Sequence, residues 1–163
     1  MARVLSIALC VLVLTGCGFE LRGSASLPPE MDRTRLQVAD PDSLFARELR
    51  LLLAANGVTL VDAAAEDAAV LRILRQRLDR RTLTVSGNAR VREYELVFEL
   101  RFALDGPGGE TLVAPEILRL ARDFQFDEQE ILGATSEEEL LREDLRRSMA
   151  AALIRRLEAV RAP

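Results

Sequence analysis

The 163-residue chain contains no histidine, no lysine and no tryptophan, and only two cysteines. Without histidine, Ser-His-Asp and Cys-His nucleophilic arrangements are excluded, together with every histidine-ligated metal site. Two cysteines cannot build a disulfide framework, least of all when Cys10 lies inside an apolar run and Cys17 directly follows it. Lack of lysine makes every one of the 22 basic residues an arginine. Two readings fit that usage: codon bias in a chain dominated by Ala, Arg and Leu, or guanidinium forks chosen for bidentate phosphate contacts.

The apolar run itself is short. Arg3 is its single positive charge, and the segment from Val4 to Leu14 is too short to span a bilayer but has the length of a signal-peptide core. The following Leu14-Thr15-Gly16-Cys17 resembles the lipobox of bacterial lipoproteins. That resemblance implies cleavage before Cys17 and acylation of its thiol and new amine, with palmitate among the chains. Several acyl chains, at ~0.8 kcal/mol per buried methylene, make such an anchor effectively permanent. Gly18 stands where an Asp would resemble the signal for inner-membrane retention, so the outer membrane is the expected destination. The expected organisation is a signal peptide over 1–16, a polar, Pro-rich lipidated tether over 17–32, and one domain over 33–163.

Removing 16 residues leaves 147 with a net charge of −5, a size suited to one domain and a sign that disfavours nucleic acid. Charge is unevenly placed. Between Val70 and Arg101 eight Arg face four acidic residues, whereas between Asp123 and Asp144 nine acidic residues face Arg142 alone. A carboxylate-pair hydrolase is chemically conceivable, but the acidic residues cluster in "FDEQE" and "SEEELLRED", which read as a solvated loop and a helix start. No catalytic residue, metal site or cofactor is therefore assigned.

Periodicity supplies the fold. "TRLQVA" (34–39) reads as a first strand; Asp40-Pro41 then reads as an N-cap with Pro at N1, followed by Phe45, Leu49, Leu52 and Leu53 on one helical face until Asn56-Gly57. "VTLVD" (58–62) is a short apolar run. From 93 to 104 apolar and mainly charged residues alternate: Tyr94, Leu96, Phe98, Leu100, Phe102 and Leu104 form one face of a long strand. The preceding run, 70–85, alternates less cleanly because Arg72, Arg75 and Arg77 fall on both parities, and "SGNA" supplies turn residues between the two. "DGPGGE" is a second turn, after which Leu118, Leu120, Phe124 and Phe126 line a third strand, with Pro115 marking an edge or bulge. Ser136 and Glu139 form a capping box ahead of Leu141, Leu145, Met149, Leu153, Leu157 and Val160. The expected architecture is α+β: a two-layer sandwich of an approximately four-stranded mixed sheet with two amphipathic helices on one face.

Three pieces, "GCGFELRG", "VSGNARVREYEL" and "RDFQFDEQEILGATSEEELLREDLRRSMAAALIRRL", occur in an order and spacing that resembles the LPS-assembly lipoprotein family LptE across essentially the whole mature chain. The resemblance implies an outer-membrane lipoprotein with no turnover of its own, on the periplasmic side and in the barrel lumen of the LPS translocon protein LptD. It would assist that barrel's assembly and contact lipopolysaccharide. Basic residues that some members carry in the hairpin turn and before the last helix fall on Ser86 and Ala134 here, so those positions transfer no binding site. Arg80, Arg81, Arg90 and Arg92, clustered around the turn, are the candidate LPS or barrel contacts, and Cys17 is the candidate lipidation site. An auxiliary lipoprotein of an ABC-type phospholipid transporter, which would need an apolar groove, is the alternative; an envelope glycan hydrolase is a more distant one.

Overall fold

The computed structural model describes residues 27–61, 67–85, 91–125 and 131–160, with the side chains of 84, 85, 91, 92 and 131–135 left aside. A 3₁₀ turn (Pro29–Met31) leads into β1 (Arg33–Gln37), then α1 (Leu44–Ala55), β2 (Thr59–Leu60), β3 (Ala69–Val85), β4 (Val91–Asp105), β5 (Thr111–Gln125) and α2 (Ile131–Glu158). The strands form one mixed sheet in the order β2-β1-β3-β4-β5. β1 is parallel to both β2 and β3, while β3, β4 and β5 form an antiparallel meander. The α+β sandwich expected from periodicity is present, and the apolar run after the first helix contributes a fifth, two-residue edge strand.

Both helices start elsewhere than their sequence signals suggested. Asp40 is not the cap of α1: its carboxylate accepts from the Asp42 amide at 3.0 Å, closing a local turn, and Ser43 caps instead by accepting from the Ala46 amide at 3.2 Å. Asp-Pro thus forms the turn before the helix rather than its first residues. The other end behaves as written. Gly57 adopts φ 86°, its amide reaches the Ala54 carbonyl at 3.0 Å, and Val58 reaches Leu53 at 3.1 Å, a Schellman closure only cheap with glycine at that position. The helix α2 begins at Ile131, five residues before Ser136, so the expected capping box lies inside the helix rather than at its start. Good helix formers follow Ser136, from Glu137 to Leu141, so the segment favours helix although Gly133 and Thr135 precede it.

The strand β4 follows its alternation. Leu96, Leu100, Phe102 and Leu104 are fully buried and Phe98 is 2% exposed, all beneath the helices. Phe45 of α1 meets Phe98 edge-on at 5.4 Å between ring centres, while Leu145, Met149, Leu153 and Leu157 of α2 complete the same cluster. Side chains opposite one another in an antiparallel pair share a face, which resolves the irregular parity of β3. Ile73 pairs with Phe102, yet Arg75 pairs with Arg101, so Leu74 is an extra residue in a β-bulge. Because of that one inserted residue, Arg72, Arg75 and Arg77 all lie on the face away from the helices. The expected break at Pro115 is also present: the β4–β5 register shifts between Phe102 and Leu104, and β5 is an edge strand.

Three arginine contacts tie α2 to the sheet. Arg156 forms a bidentate pair with Glu116 of β5 (Nε–Oε1 2.7 Å, Nη2–Oε2 2.8 Å). Arg122 of β5 donates to Asp144 at 3.1 Å and to Ser148 at 3.4 Å, and Arg80 of β3 donates to Glu138 at 2.9 Å. At ~1.5 Å per residue the helix is about 42 Å long, so these contacts are distributed along it and fix its slide and rotation over the sheet.

Candidate functional surface

The part of the β3–β4 hairpin nearest its turn is where the sequence concentrates arginine. Its four candidates do not form one patch among the described residues. Arg80 stands opposite Leu96 and therefore faces α2, whereas Arg81 stands opposite Glu95 and faces away. Arg90 lies outside the described residues, as does the side chain of Arg92, although its backbone belongs to β4. Cys17 and Phe126 are likewise outside them.

The Arg80 guanidinium is held on two sides. Its carbon sits 4.6 Å from the centre of the Tyr94 ring, which stacks on Phe124 at 5.5 Å, and its Nη1 donates to Glu138 at 2.9 Å. The other oxygen of Glu138 accepts from Nε and Nη2 of Arg142, at 2.9 and 2.7 Å. Burial alone would raise the Glu138 carboxyl, but hydrogen bonds from Arg142 and Arg80, with their charges, outweigh it and hold the group below the usual carboxylate range. Arg142 is therefore not the isolated cation of an acidic segment: it shares a carboxylate with Arg80, 58 residues from Glu138 in sequence. The i,i+4 relation of Glu138 and Arg142 was readable in the sequence; the link to Arg80 depends on where α2 lies over the sheet.

The opposite face of the sheet is uncovered among the described residues. Val97 is nevertheless only 3% exposed and Ala103 fully buried there. Ion pairs share that face: Arg72 pairs with Asp105 at 2.9 Å, Arg119 with Glu95 at 3.7 Å, and Arg77 with Asp79. Three clefts, of about 360, 280 and 260 Å³, each carry at least one guanidinium in their walls. None is the apolar groove that carriage of phospholipid would need. Among the described residues no helix is long and apolar enough to cross a membrane, and no group of three potential metal ligands occurs.

Fold and surface together define a two-layer α+β module with a charged, open sheet face and a helix fastened by ion pairs to the other. The model of the family described as LptE, lipopolysaccharide-assembly, matches residues 31–157. The chain belongs to the LptE family of LPS-assembly lipoproteins. It is 32% identical over 160 residues to the LPS-assembly lipoprotein LptE of Yersinia enterocolitica, covering 98% of this chain and 76% of that protein. To the LptE of Yersinia pestis it is 33% identical over 159 residues, covering 97% and 76%. Among solved structures, rare lipoprotein B from Shewanella oneidensis superposes with a TM-score of 0.68 at 32% identity, covering 77% of this chain and 92% of that one. An uncharacterized lipoprotein B from Nitrosomonas europaea gives 0.73 at 27% identity, covering 87% and 91%. These likenesses lend no support to the phospholipid-transporter alternative.

Proposed function

We propose that this chain is the outer-membrane lipoprotein subunit of a lipopolysaccharide export translocon, anchored through Cys17, plugging and helping to assemble an LptD-like barrel and contacting lipopolysaccharide during delivery. The observation that carries the reading is the family match over 31–157, on a fold whose relatives superpose across most of their length. Geometry is compatible with it. A barrel lumen is polar, and the open sheet face, with guanidinium and carboxylate groups interleaved, suits such a wall. The role is binding and assembly, with no reaction catalysed.

For the lipopolysaccharide contact, Arg81, Arg90 and Arg92 are the working candidates. Arg80 is committed to Glu138 and Tyr94, so its loss would disturb the attachment of α2 as well as any ligand. The test is purification of the lipidated chain from outer membranes. A co-purifying barrel protein and an acylated N-terminal Cys17 by intact mass are expected; recovery with an inner-membrane permease, or as a soluble unmodified chain, would reject the reading.

A further inference from the structure

On the open face, rows of directly opposed residues run across β3, β4 and β5. Arg77, Glu99 and Arg119 form a row that alternates in charge, while Arg81 and Glu95 are opposite charges in a row that continues into Asp123. One row brings two cations together. Arg75 and Arg101 are the only directly opposed pair of arginines among the described strands, and the row continues into Ile117. Like charges directly opposite destabilise a sheet. Both arginines are exposed, and among the described residues neither has a salt bridge, whereas Arg72, Arg77 and Arg119 each have one. The same place exposes large apolar side chains: Ile117 is 59% exposed and the bulge residue Leu74 is 44% exposed. Arginine beside exposed aliphatic surface is the composition of a contact centre rather than of a solvated edge.

We propose that the row Arg75–Arg101–Ile117, with Leu74 at its flank, is the centre of the docking surface for the barrel, and that the barrel wall meets it with a carboxylate set in apolar surroundings. This rests on the translocon reading above. The bulge at Leu74 is what creates the row, because it brings Arg75 opposite Arg101. Charge complementarity calls for an anionic partner, and the translocon reading makes that partner a carboxylate of the barrel wall, whose bidentate pairing would remove the repulsion of the two guanidiniums on binding. A second copy of the chain would bring two more arginines to the row and is disfavoured by the same logic.

The experiment compares the lipidated parent with Arg75→Gln/Arg101→Gln and with Arg75→Glu/Arg101→Glu, each expressed in cells and purified with whatever barrel it holds. The Gln pair is expected to melt at the same temperature as the parent or higher, since repulsion is relieved, while barrel recovery falls at least ten-fold; the Glu pair loses barrel further. Arg47→Gln, on the exposed side of α1, leaves both unchanged. A parent that captures barrel alongside a Gln pair that captures it equally overturns the inference and leaves the translocon reading standing. A parent that captures no barrel overturns both. A Gln pair that melts well below the parent shows that the row is structural, and also overturns the inference.

Discussion

The two faces of β4 are built from neighbouring residues and do opposite work. Even-numbered positions from Leu96 to Leu104 are sealed under two helices, while odd-numbered positions from Glu93 to Asp105 mostly carry charge toward an uncovered side. On the covered face, the contacts are apolar and continuous, and each side chain has many neighbours to lose. On the open face, ion pairs cross between half-exposed groups, where solvent screens them and the typical contribution of each is below about 1 kcal/mol. One strand thus supports folding with one set of side chains and leaves the other set free to be selected for contact.

The most severe break in this contrast is Phe98→Ala, which removes a 2%-exposed ring packed against Phe45. It is expected to cost about 3 to 5 kcal/mol in denaturant unfolding. Weakening the cover instead of the core has a smaller effect: Ser43→Ala deletes the cap of α1 and is expected to cost about 1 kcal/mol in the same assay. A third probe concerns the clamp over the hairpin. The Glu138 carboxyl is held below its ordinary 4.5, so its contribution to stability is complete at neutral pH and disappears as pH falls through the lowered value. The parent should therefore exceed Glu138→Gln in melting temperature at pH 7, with the gap closing as pH drops below about 4.5; a gap that is flat with pH would deny the clamp. The mildest changes belong to the open face, where Glu95→Gln and Glu99→Gln should each stay within about 0.5 kcal/mol of the parent. Losses equal to that of Phe98→Ala would mean that the register is shifted by one.

How much of this was legible beforehand differs from element to element. The face of β4 was readable because its alternation continues without interruption, and the helix stop at Asn56-Gly57 because φ 86° is a conformation that glycine adopts freely. The helix starts were not. Asp40-Pro41 and Ser43 are competing caps three residues apart, and only the observed hydrogen bonds separate them. The candidate arginines were found as a cluster in sequence, yet Arg80 and Arg81 point to opposite faces because neighbours in a strand must. Arg142, read as isolated, is joined to the cluster by Glu138.

The sequence by itself determined the class, the family and the core. These depend on period, composition and local motif, which act over a few residues and survive without knowledge of what lies opposite. Tertiary structure alone decided the bulge at Leu74, the row of Arg75, Arg101 and Ile117, and the sharing of Glu138 between Arg80 and Arg142. Each of these depends on strand register or on where a long helix lies across a sheet. Such quantities are set by packing the whole core at once, and a single inserted residue changes the face of every side chain beyond it.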